Sequence, residues 1–364
     1  MNHRLALNNR SGMAVILALT TILLVVTAAL ELHMNARENM LQSAVNRDHI
    51  TLMQMAASGI HLAMAVLIKD RMETESDSLQ EDWADEETIS GLLEEMPFEQ
   101  GKLEVKILDE MGKIQINALV QFPEGMQFNA AQRALWERFA IGLLTVLEGT
   151  EGAEEAEETD PLTIINSMKD WLDSGDDDAT TGISGAESDY YESLDPPYAC
   201  KNGPFDHLSE VGMVKGVTPF LFSGVGGSEG LEQYISVYGA EKSGDDKFTF
   251  PGKININTAD LPVLSALLPI ESAEFAPLLI EYREATSGSL YVNDLTRPDW
   301  YRSVPGLSDT TIESELISVT SNIFRIVATA TIGQLQVTST AVIERTKPSE
   351  TEPWQCKVLN WKTE

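Results

Sequence analysis

The chain has 364 residues, 43% of them hydrophobic and 23% charged, which is the composition of a folded protein with two units or one unit carrying a large insertion. Its formal net charge is −32. So acidic a surface repels nucleic acid phosphates and anionic lipid headgroups, which excludes nucleic acid as a partner and favours cations or basic protein surfaces, although solubility alone accounts for most of the acidic residues.

The first element in chain order is an uncharged apolar segment, Gly12 to Leu30. As a helix it spans about 28 Å, close to the thickness of the hydrocarbon core of a bilayer. Arg4 and Arg10 precede it without an acid, which places the N-terminus in the cytoplasm and the remaining chain outside. The segment ends without the small-residue pattern of a cleaved secretory signal, and a soluble helix is rarely apolar on every face, so a retained single-pass anchor is predicted.

The helical pattern continues beyond the anchor. Residues 35–69 contain no proline, and Gly59 is their single glycine. Apolar side chains recur there at helical spacing, at Leu41, Val45, Leu52, Ala56, Ile60, Ala63 and Leu67. One helix over residues 13–70 is therefore predicted, half in the membrane and half packed on an outer domain. That shape resembles the type IV pilin and pseudopilin family.

The resemblance extends to the residues before the anchor. Prepilin peptidases of that family cut after a glycine that precedes the apolar run, and Gly12–Met13 fits this pattern. The resemblance implies a cleaved leader over residues 1–12 and a methylated Met13. The fifth residue after the cut is Leu17, where most pilins carry a Glu that costs several kcal/mol in hydrocarbon unless a neighbour pairs with it. Its absence resembles the K-type minor pseudopilins of type II secretion, which cap the tip.

Strand patterns lie near both ends of the outer part. Leu103–Ile107 and Ile114–Ile116 alternate around a turn at Asp109–Gly112, which predicts an early hairpin. Ile323–Thr331 and Gln334–Glu344 meet at Ile332-Gly333 and predict a late hairpin.

The order of these patterns predicts an α+β fold. A long N-terminal helix packs on a small antiparallel sheet, and a large, mainly helical insertion interrupts that domain. The predicted boundaries are 71–120 for the first part of the pilin-like domain, 121–318 for the insertion, and 319–364 for the late hairpin and a C-terminal tail.

Four segments in the same order resemble the pseudopilin K family. They are Asp109–Leu119 (DEMGKIQINAL, with Gln115 as the departure), Trp171–Asp178 followed by Gly185–Glu187, Pro197–Glu210, and Lys253–Leu264 (KININTADLPVL). The echo between KIQINA at 113–118 and KININTA at 253–259 indicates two related helical units. This resemblance implies assembly with I-type and J-type minor pseudopilins, processing by prepilin peptidase, and contact with exported proteins and the outer-membrane secretin.

An acidic segment between Asp170 and Asp195 is the candidate metal site. Crowded carboxylates repel one another and become ordered around a cation, and Ca²⁺ accepts six to eight oxygens in irregular geometry. The segment contains neither His nor Cys, which zinc would prefer. A solvated acidic loop is the alternative that spacing alone leaves open.

The family resemblance favours calcium at this segment. The expected ligands are Asp173, Asp176, Asp178, Glu187 and Asp189. Trp171 and the Tyr190-Tyr191 pair are expected to pack in the core rather than contact a ligand.

Catalysis is not expected. His207, flanked by Asp206 and Ser209, is the one histidine near a candidate nucleophile, and a structural role at a helix start or on the surface is expected for it. Glycine-rich Ser223–Gly230 is not followed by Gly-Lys-Ser/Thr, so it is interpreted as a loop. Cys200 and Cys356 could pair in an oxidising compartment or stay reduced in the cytosol, and sequence does not decide between these states.

Two rival functions share parts of the pattern. Lys253–Tyr282 resembles the helix-hairpin-helix module of DNA-uptake proteins, but its hairpin at Leu268–Ala273 carries an acid and no glycine for phosphate binding. A type IV minor pilin would share the anchor, yet usually keeps the Glu that Leu17 replaces and lacks so large an insertion.

Overall fold

The structure, a computed structural model, describes residues 10–96, 98, 100–148, 160–175, 180–244, 247–288, 290–349 and 351–364. Among these, the buried apolar side chains form two clusters. One lies between the long helix and a sheet, and the other lies inside the insertion between the first and second strands of that sheet.

Helix α1 spans Arg10–Glu73 without interruption, which confirms the predicted single helix. Its second half packs on the sheet through side chains one or two turns apart, Leu52, Met55, Ala56, Ile60, Ala63 and Leu67. Leu41 and Val45, predicted to lie on the same buried stripe, are 60% and 48% exposed. The buried stripe begins at Leu52, so the helix extends well beyond its own domain toward the N-terminus.

The exposed half of α1 contains the apolar segment. An 18-residue window of this helix is apolar and long enough to cross a membrane, and none of that window is buried against protein.

The sheet has four antiparallel strands in sequential order. They are β1 Lys102–Asp109, β2 Ile323–Ile332, β3 Leu335–Thr346 and β4 Gln355–Thr363. In β2 the residues facing α1 alternate with half-buried ones, as a sheet with one covered face requires. The α+β fold class is confirmed.

The late hairpin is confirmed and the early one is wrong. β2 and β3 pair in antiparallel register from Ile323↔Glu344 to Ile332↔Leu335. β1 pairs with β2, not with Ile114–Gln115. The reason lies in the turn, where the Asp109 carboxylate accepts the amide of Met111 (2.8 Å) and starts a 3₁₀ turn that leads the chain away from the sheet. The residues predicted as a C-terminal tail add the edge strand β4.

Short helices build most of the remainder. Helix α2, Glu86–Glu94, belongs to the pilin-like domain. The insertion contains α3 Ala130–Glu148, α4 Pro161–Leu172, α5 Ser188–Glu192, α6 Pro219–Ser223, α7 Leu231–Tyr234, α8 Leu261–Leu267 and α9 Ala276–Glu284.

The two related sequence segments start from matching backbone pairings. Ile114–Gln115 pairs in parallel with Ile235–Ser236, and Ile254–Asn255 pairs in parallel with Ile317–Ser318. Each leading strand is followed by a buried asparagine, Asn117 or Asn257, that holds a distant loop.

Candidate metal centre

The structure brings together two of the predicted ligands with a third acid. Asp170, Asp173 and Glu187 each place a carboxylate oxygen within 4.8 Å of the others. Their exposed fractions are 0%, 7% and 4%. A buried group of three carboxylates is unusual, because each ionised oxygen loses hydration and is repelled by the others.

Helix α4 positions two of the three side chains. The Asp160 carboxylate accepts the amide of Leu162 (3.2 Å) at the start of this helix, and the helix ends at Leu172. Asp170 lies in its last turn and Asp173 is the residue that follows its end, three positions on, so the two carboxylates come close together. The carbonyl end of a helix carries partial negative charge, which adds to that of the carboxylates and favours a cation there.

A loop over residues 180–187 closes on this helix end. The Asp170 carboxylate accepts the amide of Thr181 (3.0 Å to Oδ1) and the amide of Ala186 (2.8 Å to Oδ2). Burial raises the pKa of Asp170, and its hydrogen bonds with Thr181 and Ala186 oppose that rise. The same loop delivers Glu187, which immediately precedes α5.

Two lysines approach the group. Lys169 Nζ lies 2.5 Å from Oδ2 of Asp173, and Lys215 Nζ donates to the carbonyl of Gly185 at 3.1 Å. Only the first of these ammonium groups contacts one of the three carboxylates. The three carboxylates offer several oxygen ligands, the chemistry that Ca²⁺ prefers.

Aromatic rings next to this helix end pack against one another. Trp171 makes an edge contact with Tyr191 at a centroid distance of 5.2 Å and stacks on Phe205 at 6.1 Å. Tyr190 contacts Tyr191 edge to face at 5.1 Å. These side chains pack, as predicted for Trp171 and the tyrosine pair.

The other predicted ligands have different outcomes. Asp176 and Asp178 lie outside the described residues. Asp189 is exposed in the first turn of α5 and is not part of the group of three. Asp170 is not among the predicted ligands. The signal for it in the sequence is its three-residue spacing to Asp173 at the end of an amphipathic helix.

Both cysteines are free. Cys200 is buried in the insertion with Sγ 3.5 Å from the carbonyl of Asp170, whereas Cys356 lies on β4 with Sγ 3.8 Å from the carbonyl of Met64. Burial raises the pKa of the Cys200 thiol to about 12 and that of Cys356 to about 11, so both are poor nucleophiles. The structure does not support the disulfide considered from sequence.

The remaining sequence candidates have structural places. The backbone amide of His207 donates to the Glu210 carboxylate (2.9 Å) at the start of a 3₁₀ helix over Leu208–Met213. Gly12 and Met13 lie exposed near the start of α1, and their cleavage stays a prediction.

Comparison with known proteins identifies the insertion. Residues 112–238 match a family model described as type II secretion system (T2SS), protein K. This segment, about a third of the chain, is similar to type II secretion protein K. The resemblance seen in the sequence is confirmed.

Relatives extend the likeness over most of the chain. The type II secretion system protein K of Klebsiella pneumoniae is 23% identical over 303 residues, which cover 82% of this chain and 81% of that protein. The protein K of Aeromonas hydrophila is 26% identical over 171 residues, 46% of this chain and 47% of that protein.

A solved structure shares the fold. One chain of the GspK-GspI-GspJ complex of the enterotoxigenic Escherichia coli type 2 secretion system matches with a TM-score of 0.58 at 21% identity. The match covers 89% of this chain and 99% of that one. These likenesses favour a protein K over the type IV minor pilin and the DNA-uptake protein.

Proposed function

We propose that the chain is a minor pseudopilin at the tip of a type II secretion pseudopilus, where it initiates assembly and contributes to export of folded proteins across the outer membrane. The observation that carries this proposal is helix α1, which is exposed from its apolar start and enters a pilin-like core at Leu52. Protein K relatives from two organisms support it.

The anchor holds the body at the inner membrane. Its apolar segment crosses once, with the N-terminus in the cytoplasm and the acidic body in the periplasm. Prepilin peptidase removes residues 1–12, and the new N-terminus at Met13 is methylated. Leu17 leaves no carboxylate in the hydrocarbon, so no subunit above is needed to pair with one.

The insertion lies at the end of the body distant from the anchor. It leaves the sheet after Asp109 and returns at Ile323, and Asn255 of the insertion donates to the backbone oxygen of Asp77, just beyond the end of α1. A bulky domain in this position blocks addition of a subunit above it. This arrangement supports a place at the tip, from which the insertion meets exported proteins or the secretin.

The exposed part of α1 packs with the corresponding helices of other minor pseudopilins. The I and J types are the proposed partners, since the matched fold comes from a complex that contains GspI and GspJ. The face of residues 41–67 not covered by the sheet carries these contacts, as in coupled helix bundles.

A calcium ion stabilises the insertion. Asp170, Asp173 and Glu187 would hold it, with Asp176 and Asp178 as further acids expected from sequence. A bound Ca²⁺ supplies positive charge and oxygen coordination there, and these residues orient the loop against α4. The role is structural, and no catalytic role is proposed.

Mass spectrometry of the mature N-terminus tests the proposed class directly. The expected result is a protein that begins with methylated Met13. In a separate secretion assay, the chain is expected to restore export in a strain that lacks its own protein K. A native protein that begins beyond Leu30, or that fractionates with the cytosol, would overturn the proposal.

A further inference from the structure

A buried arginine joins α1 to the sheet where the insertion begins. Arg345 on β3 is fully buried and donates to the backbone oxygens of Leu67 (2.9 Å) and Ser321 (2.9 Å). It also donates to the carboxylates of Asp70 (3.0 Å) and Asp77. The guanidinium therefore ties together the end of the long helix, the loop after it and the start of β2.

The same loop is fixed to the insertion. The backbone oxygen of Asp77 accepts the side-chain amides of Asn255 (3.0 Å) and Asn257 (3.2 Å). The carboxylate of Asp77 accepts the backbone amide of Ser321 at 2.8 Å. Asn255 also donates to the Asp109 carboxylate at 3.0 Å. These bonds make one continuous junction between the pilin-like domain and the insertion.

Negative charge exceeds positive charge in this junction. Asp70, Asp77 and Glu81 place carboxylate oxygens within 4.8 Å of one another. Among the described residues, the single buried cation paired with any of them is Arg345, which contacts Asp70 and Asp77. Glu81 accepts only neutral donors among the described contacts, the amide of Ser78 (3.0 Å) and the indole of Trp83 (2.9 Å). Like charges this close and this poorly hydrated cannot all stay ionised without cost.

Other charged groups near the junction lie at its edge. A cavity of about 420 Å³ borders Asp70 and Glu81, and its lining includes the charged side chains of Lys69, Glu73 and Asp82. Arg71 lies over the ring of Trp354 at 5.3 Å and donates to the carbonyl of Glu75. These edge groups face water and screen the buried carboxylates weakly.

We propose that this junction is a proton-sensitive latch: protonation of Glu81 and Asp70 tightens the attachment of the insertion to the pilin-like domain, and their ionisation loosens it. The proposal concerns the fold itself and does not depend on the role in secretion.

The direction in which stability changes with pH follows from the environment of each acid. Burial and the Asp70 charge raise the pKa of Glu81 to about 7, and burial and the Asp77 charge raise the pKa of Asp70 to about 6. A raised folded-state pKa means that the folded protein holds protons more tightly than the unfolded chain. The stability that these groups add is thus fully present below their ordinary pKa values of about 4, and it is lost as pH rises from there through about 6 to 7.

The first test compares the full chain in a non-ionic detergent at pH 5.5 and pH 8, with EDTA present so that metal binding elsewhere does not contribute. Hydrogen exchange of the backbone amides at residues 76–81 and 254–258 is expected to be at least roughly tenfold slower, relative to the intrinsic rate, at pH 5.5. Glu81→Gln keeps the acceptor for Ser78 and Trp83 but removes the charge, so it should slow exchange at pH 8 and flatten the pH dependence.

Asp82→Asn is the matched control, because it removes one charge from the exposed neighbouring side chain. It should leave the pH dependence unchanged. The same pH dependence in wild type and Glu81→Gln would overturn the proposal.

A second readout uses the wild type alone. The indole N–H of Trp83 donates to Glu81, so its NMR signal, assigned by Trp83→Phe, should shift with a midpoint near pH 7. A signal that shifts only below pH 5, as for an ordinary Glu, would contradict the latch even if the variant did not fold.

Discussion

The carboxylate of Asp170 leaves no room for a side chain at Gly185, where a Cβ would lie 2.1 Å from Oδ2. The close approach lets the amide of Ala186 reach the same oxygen at 2.8 Å. The backbone of the loop before Glu187 therefore packs directly against the Asp170 side chain at the end of α4, and position 185 requires a glycine.

Gly185→Ala should lower the free energy of unfolding by about 1–3 kcal/mol, since either the carboxylate or the loop must shift. Gly142→Ala is the matched control. It lies in α3 with nothing within 4 Å of the added Cβ, so it should be neutral or stabilise by about 0.5–1 kcal/mol. Urea unfolding followed by tryptophan fluorescence measures both. Equal effects of the two substitutions would show that the 185 loop is not tightly packed.

Calcium should raise the melting temperature of the full chain in detergent, because an ion that binds only the folded state stabilises it by about 2.7 kcal/mol at one hundred times its dissociation constant. Asp173→Asn and Glu187→Gln should abolish most of that rise. Glu192→Gln, an exposed acid nearby, should retain it. Melting curves that superimpose in EDTA and in excess calcium would count against the site.

A charge in the apolar segment should stop membrane assembly without unfolding the body. Leu24 is exposed and lies far along α1 from the first core residue, Leu52, so Leu24→Glu costs several kcal/mol in the bilayer and nothing in the pilin-like core. Leu24→Ala is the control for loss of the side chain. Secretion of an exported enzyme should fall with Glu and persist with Ala, and normal secretion by the Glu variant would contradict the anchor.

Local sequence signals predicted α1 and the late hairpin because both depend on contacts between neighbours in the chain. The pattern of β1 was equally clear, but its partner β2 is more than two hundred residues away, and no local signal specifies such a pairing. No strand was predicted at β4, for a different reason. Its side chains are mostly exposed, so the apolar alternation that marks a half-buried strand is weak.

The sequence predicted a candidate metal site in this region, and the structure groups two of the five predicted ligands. Crowding of acids indicated where charge collects, but the geometry depends on the turn after α4, which brings residue 187 back beside residues 170 and 173. Asp189, two residues from Glu187, is exposed in the first turn of the next helix and lies outside the group. Sequence spacing alone cannot distinguish these two acids.

Asn117 and Asn257 occupy matching positions in the two related segments, and each side-chain amide donates to two backbone carbonyls. Asn117 donates to the carbonyls of Phe205 (3.1 Å) and Val237 (3.2 Å). Asn257 donates to the carbonyls of Leu295 (3.1 Å) and Asp77 (3.2 Å), and its Oδ1 accepts the Trp300 indole at 2.7 Å. Both side chains are buried, so Ala at either position leaves polar groups without a hydrogen-bond partner. Each such group should lower the free energy of unfolding by about 1–3 kcal/mol.

The two variants should differ in where the structure loosens. Asn257 reaches the pilin-like domain through Asp77, whereas the partners of Asn117 lie within the insertion. Asn257→Ala should therefore speed hydrogen exchange at residues 76–81 as well as in its own segment, and Asn117→Ala should speed exchange only within the insertion. Exchange at residues 76–81 that responds equally to both would show that the junction senses the stability of the whole insertion rather than the bond from Asn257.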